Sequence, residues 1–157
     1  MKKPPAIAVG TKLPPLAKRV SDAHVDLAYR RLLLLAEKLD VRFKNYIKGP
    51  NIHTSDDAAR AAGFSRRVAP GFHSYSFISE MLCRFFGLGW ATGGKIRLKF
   101  VRPFYVNEQI TCEAEVTKTA FCEKSGERYA DLEVCCKNSK GDIITVGSAR
   151  ARIQLKP

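Results

Sequence analysis

The sequence lacks the cysteine pattern of a metal site or of a disulfide-stapled domain. Its five cysteines are odd in number, include the adjacent pair Cys135 and Cys136, and show no CxxC or Cys/His spacing. Because free thiols are typical of a reducing compartment, we expect reduced cysteines, no metal and a cytoplasmic location. A chain of 157 residues can bury a core without such staples, so we expect one domain.

Long apolar runs are also missing. The first 15 residues contain three lysines but no apolar segment as long as that of a signal peptide, and no later segment approaches the length that spans a bilayer. Internal repeats and low-complexity segments are not evident, and 45% apolar with 27% charged residues is the composition of an ordinary globular protein. We therefore expect no signal peptide and no membrane partner.

Acidic residues are scarce: 15 face 27 basic ones, which gives a formal charge of +12. Such an excess favours an anionic partner. The basic residues are scattered, however, and their clusters are no longer than pairs such as Arg66-Arg67. No helix-turn-helix, zinc-finger or RNP-type pattern accompanies them, so we expect no nucleic acid and favour a small polyanionic ligand.

The chain divides into a helical first half and a strand-rich second half, which predicts an α+β fold. Residues 1–20 are rich in proline and are interpreted as an extended arm, with the domain itself spanning residues 21–157. Ser21 is a plausible N-cap for a helix to about residue 38. The apolar positions of this helix that we expect to share a buried face are Val25, Ala28, Leu32 and Leu35.

A shorter helix is predicted over residues 55–62. Thr54 is its expected cap, two aspartates suit its first turn, and Gly63 occupies the position that favours a left-handed residue. His53 lies just outside the N-terminus of this helix. On the local pattern alone, a structural or merely exposed loop residue is a better explanation of His53 than a catalytic one.

A third helix is predicted over residues 71–87, with apolar residues over more than half of its circumference. Its expected stripe is Tyr75, Ile78, Leu82 and Phe85. Four runs with period-two alternation follow it and predict antiparallel strands with one face on a core. These runs lie around residues 95–101, 110–116, 128–136 and 143–155. The pattern predicts a curved antiparallel sheet around one long, buried helix.

From about Val9 to Arg152 the sequence resembles the MaoC-like hot-dog proteins, which include the R-specific enoyl-CoA hydratases. The resemblance is carried by IHTSDDAARAAGF (52–64), VAPGFHSYSFIS (68–79) and KFVRPFYVNEQITCEAEV (99–116). It implies a single hot-dog domain. It also implies a homodimer or a higher homo-oligomer, because pairing closes the exposed sheet edge and supplies the missing wall of the ligand tunnel.

In hydratases of this family an Asp and a His, five residues apart in a pattern like Asp-x-Asn-Pro-x-His, add water across the double bond of an enoyl-CoA. The resemblance assigns His53 to the proton at Cα and the backbone N–H of Gly71 to the thioester oxygen. Ser79 falls at a position that holds a hydroxyl near the site, although a serine in a helix can also bond back to the preceding turn.

The family carboxylate is replaced in this chain. Five residues before His53 lies Lys48, a cation that has no lone pair to accept a proton at neutral pH, and the family Asn-Pro appears as Pro50-Asn51. Asn51 and Tyr46 could position a water. The acidic candidates for the missing role are the two aspartates of the 55–62 helix, Asp56 and Asp57.

The resemblance thus implies a hydratase or dehydratase that acts on an acyl-CoA thioester, with coenzyme A as part of the substrate and no separate cofactor. Arg66 and Arg67 are candidates to bind its phosphates, and a solvated loop explains them equally well. The alternative is a non-catalytic hot-dog domain that binds an acyl thioester or serves in assembly. A thioesterase is a third possibility, since related folds hydrolyse acyl-CoA.

Overall fold

Five strands form one antiparallel sheet, and helices cover one of its faces. The computed structural model describes residues 7–39 and 48–153. In chain order the elements are β1 (Leu16–Arg19), α1 (Asp22–Leu39), α2 (Asp56–Ala61), α3 (Phe72–Phe86), α4 (Leu88–Ala91), β2 (Lys95–Phe100), β3 (Gln109–Cys122), β4 (Glu127–Asn138) and β5 (Ile143–Ile153). The strand order in the sheet is β1-β3-β4-β5-β2, so β1 and β2 are its edges.

The long strands β3, β4 and β5 form a meander whose alternating side chains build one wall of the core. Ile110, Cys112, Ala114 and Val116 of β3 are all buried, as the period-two pattern predicts. The register of β3 against β4 shifts between Val116 and Lys118, which is the kind of bulge that bends a strand. All four predicted strands are confirmed within the described residues.

The helix α3 is the centre of the core, and its prediction is confirmed. Ile78, Met81, Leu82 and Phe86 are buried against the inner face of the sheet. The predicted stripe was partly wrong, because Tyr75 is 46% exposed and Ser74 is buried instead. The buried stripe is thus rotated by about one residue at the N-terminal end of the helix.

The described part of the N-terminal arm, residues 7–20, contributes β1 to the sheet. Leu16 of β1 pairs with Cys112 of β3, and Leu13 and Val20 are buried on either side of this strand. The described part of the arm, from residue 7, therefore shares its core with residues 21–153. The strand begins directly after Pro15, the last proline of the arm, and an edge strand tolerates proline at its ends.

Helix α1 forms where the sequence predicts it, and Ser21 Oγ accepts a hydrogen bond from the N–H of His24 at 3.4 Å. Its expected buried face was wrong: Val25 is buried, but Leu32 and Leu35 are 37% and 52% exposed. The buried residue of the last turns is Ala36. Because four leucines follow one another at positions 32–35, the apolar pattern does not define which side of the helix meets the core.

The short helix α2 is also confirmed, with a cap one residue later than expected. Ser55, and not Thr54, caps it by accepting a hydrogen bond from Ala58 N–H at 3.3 Å. Gly63 follows with φ of +88°, the left-handed conformation that glycine adopts without strain. None of the helices in the described ranges is both long enough and apolar enough to cross a membrane.

Candidate active site

His53 lines a cleft between the N-terminus of α3 and the ends of two strands. The cleft has a volume of about 310 Å³. Its lining residues are His53, Phe64, Val68, Ala69, Gly71, Ser74, Phe100, Val101, Arg102, Pro103, Phe104 and Thr145. Most of this lining is apolar, so the few polar groups determine what chemistry the cleft can support.

The imidazole of His53 has a fixed orientation. Its Nδ1 lies 2.7 Å from the carbonyl oxygen of Val68. Because a carbonyl oxygen only accepts hydrogen bonds, Nδ1 carries the proton, and in the neutral ring the lone pair is on Nε2. The ring also contacts Tyr29 of α1, with 5.8 Å between ring centroids. This arrangement leaves Nε2 as the ring nitrogen that can exchange a proton.

Asn51 organises the loop that presents His53. Its Oδ1 accepts a hydrogen bond from the backbone N–H of His53 at 2.9 Å, and its own N–H donates to Thr54 Oγ1 at 3.2 Å. The residue is only 5% exposed and does not line the cleft. Asn51 therefore holds the histidine loop through the backbone.

Gly71 brings the start of α3 to the cleft. It is the N-cap of the helix and makes no side-chain cap hydrogen bond. The first amide N–H groups of a helix have no acceptor within the helix, and they carry its positive dipole end. A Cβ at this position would approach the ring of Phe100 to 3.1 Å, so glycine also keeps the cleft open.

Two buried hydroxyl groups in the cleft were missed by the sequence analysis. Thr145 Oγ1 donates a hydrogen bond to Ser74 Oγ at 3.2 Å, and Ser74 Oγ donates to the carbonyl oxygen of Gly71 at 3.1 Å. Ser74 lies four residues before Ile78, on the same face of α3, and this spacing was a signal that it is buried. No comparable signal marks Thr145.

Lys48 and Ser79 lie away from the cleft. The Nζ of Lys48 is 3.4 Å from Glu37 Oε1 on α1, and the lysine side chain is 47% exposed. Ser79 Oγ accepts a hydrogen bond from Trp90 Nε1 at 2.9 Å, on a part of α3 that the cleft does not reach. The structure thus brings His53 and Gly71 together, but neither of these two residues with them.

The two aspartates considered as substitutes for the missing carboxylate bind to other residues of the chain. Asp56 Oδ1 accepts a hydrogen bond from Arg67 N–H at 2.7 Å, and Asp57 pairs with Arg60 at 2.9 Å. Neither lines the cleft, and over residues 7–39 and 48–153 no carboxylate does. Tyr46 lies outside the described residues.

A second, polar groove adjoins the cleft and shares Arg102 and Pro103 with it. The groove has a volume of about 770 Å³. Its charged side chains are Arg19, Arg66, Arg102, Glu108, Lys140 and Asp142. Four cations thus face two carboxylates, which makes the groove suitable for an anionic group.

The two arginines expected to bind phosphate differ in placement. Arg66 lines the groove, where its guanidinium stacks 5.3 Å from the centre of the Tyr105 ring and donates to the carbonyl of Val106 at 3.0 Å. Arg67 pairs with two carboxylates of α1, Asp22 and Asp26. Only Arg66 is therefore available to a ligand in the groove.

His73, in the first turn of α3, has an unusual environment. Its Nε2 is buried and finds no hydrogen-bond partner among the described residues, and its ring packs against Phe72 and Phe77 with centroids 4.4 and 6.0 Å away. Burial, with smaller effects from the charges of His24 and His53, lowers the pKa of His73 from 6.5 to about 4. The side chain is therefore neutral at physiological pH.

The described residues include no group of three or more His, Cys, Asp or Glu side chains that could hold a metal ion. The family model described as "MaoC like domain" matches residues 50–134. No protein with a curated description matches the sequence.

Solved structures give a consistent picture of the fold. The (R)-hydratase from A. caviae involved in PHA biosynthesis is 24% identical, with a TM-score of 0.67 over 95% of this chain and 98% of that one. The MaoC-like dehydratase from Rhodospirillum rubrum is 19% identical, with a TM-score of 0.69 over 96% and 95%. The ChsH1-ChsH2 complex from Mycobacterium tuberculosis is 16% identical, with a TM-score of 0.65 over 95% and 100%. At these identities the likeness confirms the hot-dog fold.

Proposed function

The chain belongs to the MaoC-like family, and from this premise we propose that it adds water to, or removes water from, an acyl-CoA thioester. One observation carries the proposal. The imidazole of His53 is held by the carbonyl of Val68 in a mostly apolar cleft, next to the N-terminus of α3 at Gly71. A proton-exchanging nitrogen and a cluster of helix-start amides are the two parts that this chemistry needs.

In the proposed reaction, the thioester oxygen lies at the N-terminus of α3. The C–O bond to water forms at Cβ, negative charge collects on the thioester oxygen, and Cα receives a proton. Amide N–H groups and the helix dipole at Gly71 stabilise that charge. Water loses one proton and Cα gains one, so His53 Nε2 can accept the first and donate the second, which leaves the histidine unchanged after each turnover.

The groove beside the cleft is the proposed site for the phosphates of coenzyme A. Arg102 lines both the cleft and the groove, and the other cations of the groove are Arg19, Arg66 and Lys140. Arginine binds phosphate oxygens through several donors in one plane. Arg67 has no part in this proposal, because it is paired with carboxylates of α1.

The alternative function is a domain that binds an acyl thioester or assembles with another subunit without catalysing a reaction. Its support is the chemistry of the cleft, which has no carboxylate among its described residues, and the outward position of Lys48. A thioesterase would use the same histidine as the base that activates water, and no observation favours it over the hydratase. We further propose a cytoplasmic location, in keeping with five free cysteines.

Turnover assays on a panel of enoyl- and 3-hydroxyacyl-CoA substrates test the proposal. We expect His53→Ala to lower the rate by about 10²-fold or more, the usual scale for a general acid or base. His24→Ala is the matched control, because His24 is an exposed histidine of α1 that bonds to Ser21 and does not line the cleft. Binding of the substrates without turnover by the wild type supports the non-catalytic alternative instead.

A further inference from the structure

Helix α1 carries leucines and cations on the side that faces away from the core. Leu27, Arg31, Leu34 and Lys38 follow one another at intervals of three or four residues, which places them on one face of the helix. All four are exposed, and the two leucines are 50% and 60% exposed. The buried positions of the helix lie on its opposite side. These four residues are called the outer stripe of α1 below.

The charges of α1 are not balanced on its outer side. Arg67 and Lys48, which lie outside the helix, pair with its three carboxylates, Asp22, Asp26 and Glu37. The cations of the helix form no ion pair with any described residue, and these are Arg30, Arg31 and Lys38. The helix therefore presents unpaired positive charge directly beside exposed leucines.

An anionic lipid surface fits these features better than another protein does. Lipid headgroups attract clustered lysine and arginine side chains, and exposed leucines enter the boundary between headgroups and acyl chains. Protein interfaces are depleted in lysine, and much of their binding energy comes from aromatic anchors that fill pockets. The outer stripe contains no aromatic residue, and no described residue of α1 lines the cleft or the groove.

A second copy of this chain also fits the outer stripe badly. Two α1 helices can pair in an antiparallel manner about a two-fold axis, which brings the middle of one stripe against the middle of the other. Arg31 lies between Leu27 and Leu34 and would then face its own copy. Because no carboxylate belongs to the stripe, this repulsion between like charges is not compensated.

We propose that the outer stripe of α1 docks the protein on an anionic lipid surface, with Leu27 and Leu34 inserted among the headgroups and the cations against lipid phosphates or carboxylates. A helix that lies on a bilayer needs no segment that spans it. The lack of long apolar runs bears only on spanning helices, so the expectation of no membrane partner is revised for this surface. The inference does not rest on the proposed function.

Co-sedimentation of the full chain with lipid vesicles tests the proposal. At low salt we expect binding at least ~10-fold tighter to vesicles with about one-third phosphatidylserine than to vesicles of phosphatidylcholine alone. The variant Leu27→Gln, Leu34→Gln should weaken binding to the anionic vesicles by at least ~10-fold, because two inserted apolar side chains are lost. The matched control is Val9→Gln, Leu88→Gln, which replaces two apolar residues of other segments that are 64% and 63% exposed. This control should bind like the wild type.

A pair of charge-matched variants separates the outer stripe from the net charge of +12. Arg30→Gln, Arg31→Gln removes two cations of α1, whereas Lys118→Gln, Lys124→Gln removes two exposed cations of β3 and the turn after it. We expect the α1 variant to lose at least ~5-fold more affinity for anionic vesicles, because only cations within a screening length of the surface interact strongly with it.

Tryptophan fluorescence reports which side chain enters the lipid. Trp90 is the one tryptophan of the sequence, and it is buried. Leu34→Trp adds an indole on the outer stripe, and Leu88→Trp adds one at a control position. Anionic vesicles with brominated acyl chains should quench the Leu34→Trp variant more strongly than the wild type or the control.

Three results overturn the inference. The first is a wild type that does not bind anionic vesicles at low salt, which would leave a protein as the occupant of the stripe. The second is a leucine variant that loses no more affinity than its control, because net charge alone would then explain the binding. The third is a wild-type oligomer that the leucine variant dissociates in lipid-free sedimentation velocity, which would assign the leucines to a second copy. If circular dichroism shows that the leucine variant does not fold, the arginine variant and its control decide the question.

Discussion

Replacing His73 by phenylalanine should remove a large part of the acid sensitivity of this fold. The histidine ring packs against two phenylalanine rings, and its buried Nε2 has no partner among the described residues. His73→Phe keeps an aromatic ring in that position but removes the titrating nitrogen. The substitution should leave stability at pH 7.5 unchanged or raise it by about 1 kcal/mol, because an unsatisfied buried polar atom is lost.

The size of the stability loss at acid pH follows from the pKa shift of His73. Burial lowers the pKa of His73 from 6.5 to about 4, so between these values the unfolded chain binds a proton that the folded chain does not. The stabilising contribution is complete above pH 6.5 and is lost as the pH falls towards 4. One pKa unit corresponds to about 1.4 kcal/mol, so the loss should be about 2 kcal/mol by pH 5 and not more than ~3.5 kcal/mol in total.

Urea denaturation at pH 7.5 and pH 5 measures this difference. We expect the free energy of unfolding of the wild type to fall by about 2 kcal/mol more than that of His73→Phe over this interval. His24→Gln is the control, because His24 is exposed on α1 and its replacement should leave most of the decline in place. An equal decline in wild type and His73→Phe refutes the proposed effect of burial on this histidine.

Four other substitutions test the site. Lys48→Asp should lower the free energy of unfolding by less than about 1 kcal/mol, because it removes an exposed ion pair. Increased turnover by this variant would identify the wild type as a weakened hydratase. Unchanged turnover would place the second proton-transfer group elsewhere. Arg66→Gln should weaken binding of coenzyme A by about 10-fold in calorimetry at low salt, whereas Arg67→Gln should lower stability with little effect on that binding. Thr145→Val should cost about 1 kcal/mol in urea denaturation, because the buried hydroxyl loses its bond to Ser74 without a change in volume.

The sheet and the central helix could be predicted because their patterns are strong and local. Period-two alternation placed the four main strands, and Gly63 was placed in the left-handed region that its φ of +88° confirms. Where many apolar residues fall in one segment, tertiary contacts and not the sequence pattern determine which side of the helix faces the core. The faces of α1 and of the first turn of α3 were therefore predicted incorrectly at Leu32 and Tyr75.

The candidate site was predictable only in part. His53 and Gly71 are brought together as the resemblance implies, but the buried Thr145 was not found. The register of β4 against β5 shifts between Cys136 and Lys137, and Ile144 and Thr145 are consequently both buried. A strict alternation places one of two such neighbours outside, so no pattern with period two identifies Thr145 as a cleft residue.

The proton transfers depend on the few polar groups of the cleft. Its described lining includes His53 but no carboxylate, and Lys48 pairs with Glu37 of α1 away from the cleft. A hydratase site must take a proton from water and deliver a proton to Cα. If the isolated chain turns over an enoyl-CoA, His53 performs both transfers. If it binds thioesters without turnover, the second proton-transfer group is not among the described lining residues.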